Sequence, residues 1–112
     1  MTDRTPHTVR LLGLDFADLD ATQAAALIAA RPPEAPFATV VTPNADHLVR
    51  LARQPELAPL YRDAWLLLLD SRVVARLARA MGLTAPKVAP GSDLTMELLG
   101  RHLPAGERIT VI

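Results

Sequence analysis

"WLLLLDSRVVARL", residues 65–77, contains the change of period from which the fold follows. Trp65 to Leu69 are apolar without a break, and so short a run fits a strand covered on both faces, as in a parallel sheet. From Ser71 onward the spacing turns helical, with Val73, Val74, Leu77 and Met81 expected inward and Gly82 as the C-terminal stop. Asp70 stands at the junction, where a strand hands over to a helix.

The same unit recurs upstream. "FATVV", residues 37–41, is short, β-branched and apolar, and reads as a second strand covered on both faces. "TPNADHLVRLAR" then spaces Ala45, Leu48, Val49 and Ala52 as a helix, with Thr42 as its expected N-cap and Pro43 at its first position. "PELAPLYRDA" reads as a further short helix. Toward the N-terminus, "HTVRLLGLDF" reads as a strand or hairpin arm. "DATQAAALIAA" reads as a helix over 21–30, opened by an Asp20/Gln23 capping box and stopped by "RPPEAP". Downstream, "GSDLTMELLGRHL" is a helix capped by Ser92 or Asp93, and "ERITVI" begins a last strand. Strands alternating with helices predict an α/β fold: an open, mostly parallel, Rossmann-like sheet with helices on both faces. At 112 residues the expectation is a single α/β domain spanning 1–112.

Composition narrows the function classes. Twelve basic and twelve acidic residues cancel, leaving no net field to draw in nucleic acid or an anionic surface. Without cysteine there is no disulfide framework, thiolate metal site or cysteine nucleophile. His47 and His102 lack partners at metal-ligand spacing, so no metal and no cofactor is assigned. No apolar run approaches the roughly 20 residues of a membrane span, and the N-terminus lacks the apolar core of a secretion signal. A cytoplasmic protein is the expectation.

In an open parallel sheet the chemistry gathers beyond the carboxyl ends of the strands. Thr42 directly follows "FATVV" and Asp70 directly follows "WLLLL", so both should emerge at that edge. Both are also good helix N-caps, a reading compatible with a site because helix starts attract anions. A carboxylate placed there can act as a general base, and Thr42 and Asn44 can offer neutral hydrogen bonds.

The ordered strings "VVTPNADHLVRLARQPEL", "LYRDAWLLLLDSRVVARLARAMGL" and "PGSDLTMELL" resemble the WecG/TagA/CpsF family of bacterial glycosyltransferases, glycosyltransferase family 26. The resemblance runs over about residues 8–112. It implies transfer of an N-acetylmannosamine-type sugar from a UDP-sugar donor to a polyprenyl-diphosphate-linked saccharide acceptor in surface polysaccharide synthesis, with inversion and without metal. Position by position it implies Asp70 as catalytic base and Thr42 and Asn44 as lining of the sugar pocket. Gly91 then allows a close backbone approach, and Arg72 offers a guanidinium to phosphate or carboxylate. It further implies that the chain corresponds to the N-terminal half of the family's domain and is by itself a poor enzyme. Most UDP contacts and the part that meets the inner face of the cell membrane would lie in the missing half. Exposed apolar surface and homo-oligomer formation follow as expectations.

Some positions depart from the family pattern. Many relatives carry Asp-Gly where this chain has Asp70-Ser71, and Lys87 stands one residue from a basic position common among them. Arg72, Arg76 and Arg79 share one helix face, expected to be solvated, and Tyr61 and Trp65 are expected to pack beside the strand. A helix-turn-helix fails because Pro86, Pro90 and Gly91 interrupt the recognition helix, so no nucleic-acid partner is expected. A phosphoacceptor receiver would need an acidic pair where only Asp15 stands, and a non-catalytic module binding a saccharide or another subunit stays open.

Overall fold

The computed structural model describes residues 6–103 and 106–110. Its first element is a hairpin, β1 (Thr8–Leu11) and β2 (Leu14–Ala17), paired antiparallel. The two linking residues, Leu12 at φ 53° and Gly13 at φ 75°, both have the positive φ of a type I′ turn, whose twist matches that of the strands. Val9, Leu11, Leu14 and Phe16 are buried while the residues between them face out, so the alternation in the sequence is the alternation of the hairpin.

Helix α1 (Ala21–Ala29) begins at the expected capping box. Asp20 Oδ1 accepts from Gln23 N at 2.8 Å, and Gln23 Oε1 accepts from Asp20 N at 3.0 Å. The connector that follows is held by Arg31, whose guanidinium donates to Pro36 O at 2.7 Å and lies 4.7 Å from the centre of the Trp65 ring. Phe37, expected inside a covered strand, is 93% exposed. Regular pairing therefore begins later than "FATVV" implied.

β3 (Val40–Val41) and β4 (Leu66–Leu67) pair in parallel. Backbone bonds lengthen this ladder at both ends. Trp65 N donates to Thr39 O at 2.9 Å, Leu68 N to Val41 O at 2.9 Å, and Asp70 N to Pro43 O at 3.0 Å. On its other side, Leu69 bridges Val88 in parallel, with Ala89 N donating to Leu69 O at 2.8 Å. The result is a mixed α/β fold with a short parallel centre, to which an antiparallel hairpin is added.

Residues 66–69 are buried on both faces, as the unbroken apolar run predicts. Leu67 and Leu69 enter one core with Phe16, Leu48, Ala75 and Ala78. Leu66 and Leu68 enter another with Ala24, Ala25, Ala89 and Leu94. Burying each leucine is worth about 1.5–3 kcal/mol, so this strand is where the two layers are joined.

The remaining helices flank this centre. α2 (Ala45–Arg53) is followed by a 3₁₀ turn, Pro55–Leu57, and by α3 (Ala58–Arg62), matching the short helix read from "PELAPLYRDA". α4 (Arg72–Ala80) ends as expected at Gly82, at φ 79°. There Leu83 N donates to Ala78 O at 2.9 Å and Gly82 N to Arg79 O at 3.0 Å, a Schellman motif. α5 (Gly91–Glu97) runs on into a π-helical turn, Leu98–His102, and packs across α1.

Several details correct the sequence reading. α5 begins at Gly91 after Pro90 and has no side-chain cap, so neither Ser92 nor Asp93 serves as one. The inward face of α4 is Ala75 and Ala78, with Val74 half-buried, while Val73, Leu77 and Met81 are 62%, 58% and 73% exposed. Small side chains let this helix lie close against Phe16 and Leu69, and the larger ones are left on its outer flank. Gly106 to Thr110 are turn and coil without a strand, and the rest of the expected last strand, Val111 and Ile112, lies outside the described residues.

Candidate functional site

Two helix caps decide what Thr42 and Asp70 are free to do. Because Pro43 O accepts from Asp70 N, the backbone stays extended through residue 43 and α2 cannot begin there. The N-cap is Asn44, not Thr42. Asn44 Oδ1 accepts from His47 N at 3.1 Å and His47 Nδ1 accepts from Asn44 N at 3.0 Å, closing a capping box that the sequence reading missed. For α4 the cap is Ser71, whose Oγ accepts from Val74 N at 3.1 Å. Capping is thus carried by the neighbours of Thr42 and Asp70.

Asp70 uses its carboxylate elsewhere: Oδ2 accepts from Gly91 N at 3.2 Å. A Cβ placed on Gly91 would lie 2.9 Å from Thr42 Oγ1 and 3.7 Å from Asp70 Oδ2. Thr42 and Asp70, separated in sequence by a whole helical excursion, therefore meet around the α-carbon of Gly91, at the carboxyl end of the parallel ladder. All three residues are partly buried. The arrangement presents a carboxylate with one oxygen engaged by a backbone amide, a hydroxyl beside it, and space kept open by the absence of a side chain. A carboxylate so held can take a proton from a hydroxyl, and a threonine hydroxyl can donate to or accept from a sugar.

The other sequence candidates lie around this cluster. Asn44 stands two residues beyond Thr42 with its Oδ1 committed to α2, leaving its carboxamide nitrogen unengaged by the cap. Arg72 is the first residue of α4, is exposed, and lines an adjoining open cleft of about 530 Å³ rather than the Thr42–Asp70–Gly91 cluster. That cleft is also lined by Asp20, Pro90, Asp93, Glu97 and Arg101. Sequence reasoning passed over Glu97 and Arg101. The available signal was the helical spacing of 93, 97 and 101 in "DLTMELLGR" directly after the Gly91 motif.

Lys87 is used structurally. Its backbone N donates to Asp18 Oδ1 at 2.9 Å and its Nζ to Gln23 Oε1 at 3.1 Å, fastening the segment before Gly91 to α1. Trp65 and Tyr61 pack against the two cores at the opposite end of β4 from Asp70. Asp15, the acid a phosphoacceptor site would need, is on the hairpin, paired with Arg10 at 3.0 Å. Among the described residues no group of three or more His, Asp or Glu is placed to hold a metal ion, and no helix is long and apolar enough to cross a membrane.

No curated protein and no solved structure matches the chain. Residues 9–112 match the model of the glycosyl transferase WecG/TagA/CpsF family. With that match over nearly its whole length, joined to the strand-end geometry, the chain belongs to the WecG/TagA/CpsF family of glycosyl transferases.

Proposed function

We propose that Asp70 is the general base of a sugar transfer and that Thr42 and Asn44 orient the transferred sugar. Membership in the family gives the coarse chemistry, a sugar moved from a donor to an acceptor. The finer reading is a UDP-linked N-acetylmannosamine-type donor and a polyprenyl-diphosphate-linked saccharide acceptor. It places the protein in surface polysaccharide synthesis at the inner face of the cell membrane. The whole chain then acts as one α/β domain, its parallel ladder being part of an open Rossmann-like sheet.

The observation that carries the proposal is the meeting of Thr42 Oγ1 and Asp70 Oδ2 around Gly91, with both helix caps supplied by other residues. In the step proposed, an acceptor hydroxyl oxygen attacks the anomeric carbon and its proton passes to the Asp70 carboxylate. The bond from the anomeric carbon to the diphosphate oxygen breaks, and UDP leaves with that electron pair. Attack opposite the leaving group inverts the centre. The Gly91 amide holds one carboxylate oxygen, which fixes the direction in which the other can accept. Gly91 belongs to this machinery through its backbone. Arg72, in the adjoining cleft, serves the acceptor side.

Asp70→Asn keeps the shape and removes the base. In a protein carrying the family's complete domain, transfer followed with labelled UDP-sugar is expected to fall by ~10²- to 10⁴-fold, with donor affinity retained. Undiminished turnover would remove Asp70 from the mechanism.

A further inference from the structure

Between α2 and α4 lies an apolar groove of about 420 Å³. Its floor includes Leu48 and Ala78, both buried. Leu12, Val49, Val73, Leu77, Met81 and Leu83 rise around it, each about half exposed or more. The cause is the packing of α4: with Ala75 and Ala78 against the core, its larger side chains stand beside the groove instead of filling it. Among the described residues no charged side chain lines this groove, and none of its lining residues belongs to the Thr42–Asp70–Gly91 cluster.

Six aliphatic side chains exposed to this degree present on the order of 600 Å² of apolar surface, at the upper end for the largest patch of a monomer. Two such faces joined would bury about 1,200 Å², above the ~1,000 Å² expected of a specific interface.

This face carries both halves of a contact. Val73, Leu77 and Met81 recur along α4 at helical spacing and form a ridge beside the groove, and an apolar helical ridge is what a groove between helices accepts. A two-fold axis along the groove sets the α4 ridge of each copy into the groove of the other, one patch used twice. The rims agree with this arrangement. Asp46, one turn before Val49 on α2, and Arg76, one turn after Val73 on α4, are both exposed and form no ion pair among the described residues. The same axis lays α2 of one copy over α4 of the other, so opposite charges meet on each side. An anionic lipid surface would attract Arg76 but repel Asp46.

We infer that this face pairs with a second copy of the chain, forming a two-fold symmetric dimer held by α2 and α4. Self-association, expected from the sequence only in general terms, is thereby given a surface, and it does not depend on the transferase reading.

Sedimentation equilibrium of this chain, from micromolar to millimolar concentration, is the test, and a reversible equilibrium between monomer and dimer is expected. Leu77→Glu, at an exposed position, is expected to weaken dimerisation at least ten-fold, with unchanged Phe16 and Leu68 NMR resonances showing an intact fold. Asp46→Arg and Arg76→Asp are each expected to weaken it a few-fold and, combined, to restore it. A chain that stays monomeric would overturn the inference, whether or not it binds phosphatidylglycerol vesicles, and so would one that assembles as a trimer. A dimer indifferent to Leu77→Glu would overturn it too, as would a double variant that associates no better than either single one.

Discussion

At Gly91 a missing side chain matters more than any backbone freedom. The residue does not need a left-handed conformation; it needs its α-carbon to sit where Thr42 Oγ1 and Asp70 Oδ2 both approach. A methyl group at 2.9 Å from the threonine oxygen must push it aside. Gly91→Ala is therefore expected to destabilise by about 1–3 kcal/mol, the usual range for overpacking, and to reduce transfer sharply. Removing the obstructing hydroxyl should return part of that loss. In a double-mutant cycle with Thr42→Ala, measured by urea unfolding, the two substitutions should show a favourable coupling of about 0.5–3 kcal/mol. Strict additivity would mean that the close approach does not exist in solution.

Among the elements, β4 and α4 show opposite relations between apolar sequence and burial. Leu69 is fully buried, and Leu69→Ala is expected to cost about 2–5 kcal/mol. Leu77 is equally apolar but 58% exposed, and Leu77→Ala should stay within about 1 kcal/mol by the same thermal or urea unfolding. Equal losses at the two positions would contradict the packing described for α4. The sequence made β4 legible because Trp65 and four consecutive leucines closed by Asp70 leave few alternatives, and the Asp20/Gln23 box and Gly82 stop were legible because their chemistry is local. The face of α4 was not. Periodicity weights large side chains, whereas close approach to Phe16 and Leu69 selected Ala75 and Ala78. The starts of α2 and α4 were misplaced for a related reason. Thr42 and Asp70 are good caps in isolation, but the bond from Asp70 N to Pro43 O carries the ladder past Thr42, while the Asp70 carboxylate is taken by Gly91 N and Ser71 caps α4 instead. Asp20, which meets no such long-range competitor at its own backbone start, was placed correctly.

For the whole molecule, this short ladder ties both cores and the proposed site to the same few backbone bonds. The amides of Leu68, Asp70 and Ala89, bonded to Val41, Pro43 and Leu69, should be among the slowest in the chain to exchange with solvent deuterium. Those of the connector around Glu34 and Phe37, both exposed, should be among the fastest. Rapid exchange at Asp70 would show that the strand end opens independently of the cores. The convergence of Thr42 and Asp70 was legible from strand ends alone, whereas the part played by the Gly91 amide was not, because nothing local to "PGSD" announces a bond to a residue twenty-one positions earlier.

The alternation of Leu66 to Leu69 between two cores also limits how this segment can change length. Insert one residue after Trp65 and every leucine swaps compartments, while the acid at the end turns from its crevice to the reverse side of the sheet. Lengthening by two keeps the parity but carries the acid about one strand repeat beyond its glycine partner. A point substitution here acts on one core or on the proposed site; a change in residue count would disturb both together.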